Sequence, residues 1–67
     1  MRVSYKKLFK LLIDKEMKKT EFARFVGIGQ NTLAKLGKNE YVSLEVIVRI
    51  CEKLNCNIED VVELVKN

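Results

Sequence analysis

Histidine, tryptophan and proline are absent from this 67-residue chain, and cysteine occurs only at Cys51 and Cys56. Without His, neither a Cys–His pair nor a Ser–His–Asp arrangement can form, and two Cys cannot supply the four soft ligands of a structural zinc site. The sequence therefore predicts no enzyme, no metal and no other cofactor. Long apolar runs are missing as well: no uninterrupted stretch exceeds three residues, as at Leu11–Ile13. That leaves no place for a membrane span or a signal-peptide core, and predicts a cytoplasmic protein with no membrane partner. Glycine is confined to Gly27, Gly29 and Gly37, so nothing breaks the chain outside its middle and an all-α fold is expected. A chain of this size buries only about 60% of its unfolded surface. One compact domain, residues 1–67, without a large active-site cleft, is the expectation.

What is present is 48% hydrophobic and 33% charged, with a net charge of +4. The charge is divided unevenly along the chain. Met1 to Lys38 holds ten Lys and Arg against Asp14, Glu16 and Glu21, a net +7. From Asn39 onward Arg49, Lys53 and Lys66 face six acidic residues, a net −3. A solvated surface explains an ordinary charge excess, but this division predicts a polyanion partner for the first half.

Apolar residues recur at i, i+3, i+4 and i+7 in three places: Tyr5, Leu8, Phe9, Leu12; Leu44, Ile47, Val48, Cys51 with Leu54; and Ile58, Val61, Val62, Val65. Two shorter groups lie between the first and second, Phe22, Ala23, Val26 and then Leu33, Leu36, separated by Gly27-Ile28-Gly29. Five helices are predicted, over 5–15, 19–26, 30–36, 44–54 and 58–65, with Met1 to Ser4 as an extended arm. Four hydrophobic staples fix the starts: Met17 with Phe22, Ile28 with Leu33, Val42 with Ile47, and Cys56 with Val61. The implied N-caps are Lys18, Gly29, Ser43 and Asn57. Ser43 and Asn57 are strong caps, whereas Lys18 is a poor one.

From Lys18 to Leu36 the order is helix, Gly27, buried Ile28, Gly29, helix. Gly27 suits a left-handed residue that ends one helix and turns the chain, and Ala23 is small enough for the second helix to cross closely. This is the pattern of a helix-turn-helix over about 18–36. Phe22-Ala23, Gly27-Ile28, Thr32-Leu33 and Leu36, with the two helices that follow, closely resemble the phage-repressor and Cro-like (XRE-type) helix-turn-helix family. The resemblance covers nearly the whole chain and implies a compact five-helix lambda-repressor-like DNA-binding domain.

It further implies that the 30–36 helix enters the major groove, with Gln30, Asn31, Thr32 and Lys35 on the family's base-reading positions. The chemistry of these residues agrees independently. Gln and Asn amides can bond adenine bidentately, Lys can donate to guanine, and a Thr methyl can touch a thymine methyl. The plainer alternative is four exposed polar residues on a short helix. Lys18, Lys19 and Lys38 fall beside helix ends where the family contacts phosphates. Lys6, Lys7, Lys10 and Arg24 fit DNA contact and a solvated helix face equally. At Lys18, a phosphate could accept from the unpaired N–H groups of the helix start; the alternative is a frayed start covered by water.

Two positions depart from the family pattern. Members often pair an Arg in the first helix with a Glu just after the reading helix, and Leu12 and Gly37 stand there instead. Both partners are replaced together, so no lone buried charge results. Cys51 and Cys56 read as core thiols, and Phe25 and Tyr41 are left without a predicted role. The reading that follows is a sequence-specific regulator of double-stranded DNA, a repressor, acting as a homodimer on a palindromic operator. Val46, Ile50 and Leu64 fall off the predicted core stripes and are the apolar candidates for the dimer contact. One rival is an antitoxin-type module whose acidic second half binds a partner protein. A peripheral membrane module built on Tyr5 to Lys15 is disfavoured, because Leu8, Phe9 and Leu12 are needed in so small a core.

Overall fold

The computed structural model describes all residues, 1–67. A short strand β1 (Arg2–Ser4) leads into α1 (Lys6–Asp14), α2 (Lys19–Val26), α3 (Gln30–Gly37) and α4 (Leu44–Leu54). A single 3-10 turn (Ile58–Asp60) and strand β2 (Glu63–Val65) complete the chain. The two strands pair antiparallel, with Arg2 opposite Val65, Val3 opposite Leu64 and Ser4 opposite Glu63.

Every helix contributes to one core: Leu8 and Leu12 from α1, Phe22 and Val26 from α2, Leu36 from α3, and Ile47, Ile50 and Leu54 from α4. Tyr5 and Val61 close it, and no polar or charged residue is buried. The four N-caps are Lys18, Gly29, Ser43 and Asn57 as the staples predict, and all eight staple residues are buried or half-buried. Leu12 lies in the core at 2% exposure.

The predicted fifth helix over 58–65 is not formed. A 3-10 turn starts at its expected cap, Asn57, and the chain then becomes strand β2. An apolar stripe of eight residues does not by itself separate helix from strand. Val61, Val62 and Val65 are β-branched and favour the pleated conformation once a partner strand is present. That partner is the segment expected to be a free arm. Met1 to Ser4 is extended as predicted, but Arg2–Ser4 is paired rather than free.

The face of α4 also differs from the predicted stripe. Ile50, expected off the core, is fully buried, whereas Leu44 and Val48, expected in it, are 66% and 49% exposed. Ile50 stands three residues after Ile47 and four before Leu54, so these three share the face that meets α2. Val46 is half-buried against the core, which leaves Leu64 as the exposed member of the predicted dimer trio. Cys51 and Cys56 are free and pack against the core. Burial and the neighbouring Cys51 push the Cys56 thiol pKa up, away from reactive thiolate.

Candidate nucleic-acid interface

The turn between α2 and α3 is built from three residues with separate duties. Gly27 takes the left-handed conformation at φ 83°, a region that a Cβ disfavours. The N–H groups of Gly27 and Ile28 both donate to the Ala23 carbonyl, at 2.9 and 3.0 Å. Ile28 turns inward against the core, and Gly29, in extended conformation, starts α3. From the far side, Arg49 of α4 donates to the Gly27 carbonyl at 3.2 Å and pairs with Glu45 at 3.4 Å. The turn is thereby tied to the longest helix of the fold. Arg49 escaped the sequence reading because its partner lies 22 residues away.

Helix α3 is held at one side and open on the other. Leu36 is buried, Leu33 and Thr32 are half-buried, and Gln30, Asn31, Ala34 and Lys35 are exposed. Gln30 and Ala34 are four apart, as are Asn31 and Lys35, so these side chains share one outward face. Thr32, predicted among the reading residues, stands at the margin of that face. Ala34 lies within it and was missed, although its spacing from Gln30 was available in the sequence; its methyl is of the kind that contacts thymine. An open groove between α2 and α3 is lined by Lys19, Thr20, Arg24, Gln30 and Ala34.

The C-terminal end of α3 is fixed by a clamp. Asn39 adopts a left-handed conformation at φ 57°, and the Glu40 N–H returns to the Lys35 carbonyl at 2.9 Å. The Asn39 side-chain oxygen accepts from the Tyr5 N–H at 3.0 Å, while the Tyr5 phenol donates to the Glu40 carbonyl at 2.7 Å. Tyr5 therefore grips two consecutive residues that follow α3. Burial pushes its phenol pKa up, partly opposed by the Val42 backbone.

Of the three lysines expected at phosphates, Lys19 lines the groove between α2 and α3, while Lys18 and Lys38 stand at helix ends. Lys18 is the exposed N-cap of α2 and Lys19 its first residue, at the positive end of that helix. Lysine has no acceptor with which to cap, but the Glu21 carboxylate accepts from the Lys18 N–H at 3.0 Å, so half of a capping box is present. Lys38 is exposed at the end of α3. No group of three or more metal-ligating side chains comes together, and no helix is long and apolar enough to cross a membrane.

A left-handed turn, a second helix presented on its polar face and a basic margin define a helix-turn-helix of the DNA-binding class. The chain belongs to the Cro/C1-type HTH DNA-binding domain family, whose model matches residues 7–67. It is similar to the transcriptional regulator VanUg, whose crystal structure superposes with a TM-score of 0.94 at 56% sequence identity. The match covers 98% of this chain and 88% of that one. Among curated proteins, none matches.

Proposed function

We propose that this DNA-binding regulator is a repressor that reads a palindromic operator as a homodimer, with α3 of each protomer in the major groove. The observation that carries this reading is the outward face of α3, where Gln30, Asn31, Ala34 and Lys35 stand exposed between basic margins. Gln30 and Asn31 suit adenine and Lys35 suits guanine, while Thr32 at the edge reaches a base only through its methyl or hydroxyl. Lys18, Lys19 and Lys38 neutralise flanking phosphates and set the register of the helix without reading sequence. An eight-residue helix touches too few base pairs to single out one genomic site, which two helices about 34 Å apart would do. The similarity to a transcriptional regulator supports the regulatory role.

Competition between an operator selected from random DNA and unrelated duplex tests the reading. Gln30→Ala, Asn31→Ala and Lys35→Ala should each reduce discrimination by about 1–3 kcal/mol where the contact is bidentate. Lys38→Ala should weaken all duplexes alike and flatten the salt dependence by about one unit. Equal losses on both duplexes in the α3 variants would remove the assignment. Sedimentation on operator DNA decides the dimer: a single bound protomer would refute it.

A further inference from the structure

We propose that a second groove, on the α1 side of the reading helix, seats the DNA backbone through Lys6 and Lys10 acting with Lys19. The proposal rests on the DNA-binding reading and extends the contact surface to a helix outside the helix-turn-helix. The groove runs between α1, the start of α2 and the end of α3, and its lining includes Lys6, Phe9, Lys10, Lys19, Gly37 and Asn39. Lys6 and Lys10 are four residues apart and project from one face of α1. Lys19 reaches the same space from α2, with its ammonium 4.8 Å from the centre of the Phe9 ring. Three cations converge, and no acidic side chain lines the groove. Like charges placed together repel in the free protein, and an anion seated among them relieves that repulsion.

The lysine between them behaves differently. Lys7, about 100° round the helix from Lys6, does not line the groove and lies 4.0 Å from the Glu63 carboxylate of β2. Neither Lys6 nor Lys10 has an acidic partner within that distance. Consecutive lysines on one helix thus divide into a paired one and two that are free for a ligand.

The anion is a phosphodiester of the duplex rather than a small phosphate compound, for two reasons. Lys19 and Gly37 border both this groove and the one between α2 and α3, so the two form one continuous basic surface around the reading helix. The charged side chains that line the groove are three solvent-exposed lysines, set beside Phe9 and Ile13, and none of its polar side chains is buried, which suits a passing backbone and not an enclosed headgroup. The contact would position α3 without adding sequence preference.

The test measures the affinity of the full chain for operator and for unrelated duplex over a range of salt. Lys6→Gln with Lys10→Gln should weaken both duplexes by the same factor. Each lost phosphate contact lowers the salt slope by about 0.9, so between 50 and 200 mM salt the unaltered protein should lose about tenfold more affinity per protomer than the double variant. Lys7→Gln should leave the slope unchanged. An unchanged slope in the double variant, alongside normal operator discrimination, overturns the groove and leaves the α3 reading intact. An equal slope change in Lys7→Gln overturns it too, because a diffuse field would then account for the effect. Titration with inorganic phosphate in the absence of DNA should give no saturable NMR shifts at Lys6, Lys10 and Lys19; saturation would identify a small-anion site and refute the backbone assignment.

Discussion

Helices α3 and α4 are neighbours in the chain and opposites in how they are stabilised. Helix α4 has its own supports: the Ser43 hydroxyl accepts from Val46, Asn55 ends it in left-handed conformation, and three of its side chains are buried. Helix α3 starts at a glycine that offers no side-chain acceptor and buries Leu36 alone. What it lacks is supplied from outside, by Ile28 before it, Arg49 behind the turn and Tyr5 beyond its end. The helix with the face most open to a partner is the one least able to stand by itself. Its outward positions are thereby left to chemistry other than its own folding.

The sharpest way to break this contrast is Leu36→Ala. Leu36 is fully buried, so the truncation should cost about 2–5 kcal/mol in denaturant unfolding. Amide exchange should accelerate more in α3 than in α4, and an equal acceleration in both would show that α3 does not depend on this one anchor. Tyr5→Phe comes next, with an expected loss of about 0.5–1.5 kcal/mol from the missing bond to Glu40. It also carries a pH signature. Burial raises the folded Tyr5 pKa above its ordinary value of 10.0, so this contribution is complete below pH 10. As pH rises through the folded value, the unfolded chain releases its proton first and stability falls. Unfolding curves of the wild type and the variant should therefore converge at alkaline pH; a constant gap would contradict a buried phenol.

Ser43→Ala should cost about 1 kcal/mol, since it removes the cap on which α4 depends. Lys18→Ser should act in the other direction and by less, raising stability by about 0.5 kcal/mol. The serine would complete a capping box whose Glu21 half already exists. Lys18→Asp should cap equally well yet bind operator more weakly than Lys18→Ser, because its carboxylate repels the phosphate expected there. Melting temperatures and binding isotherms on the pair decide this, and equal affinities would exclude a phosphate at the start of α2.

Local signals were legible and distant partners were not. The four caps and staples can be read because each staple joins residues five apart, and Gly27 because a left-handed turn constrains residue type. The 58–65 segment was misassigned because its valines satisfy the helical spacing while preferring a strand, and the deciding partner, Arg2–Ser4, lies at the other end of the sequence. Ile50 was misplaced because several stripes fit the apolar residues of α4, and packing against α2 selects one. In the candidate site, the polar residues of α3 were visible as types at fixed spacing. The grips of Tyr5 and Arg49 were not, since they span 34, 35 and 22 residues and end on backbone atoms or an ordinary asparagine.

The strand pair has a consequence for the order in which the molecule assembles. Arg2 lies opposite Val65, so joining β1 to β2 closes nearly the entire chain into a ring. The entropy lost in closing a loop rises with the logarithm of its length, and a ladder of three residues per strand returns little against it. Helical contacts between near neighbours form early, whereas this closure belongs at the end of folding and should be among the first features to open. Tyr5 follows β1 directly, so each opening of the ring loosens the residue that holds the end of α3. The longest-range contact in the wiring of the chain thus governs how firmly α3 is held.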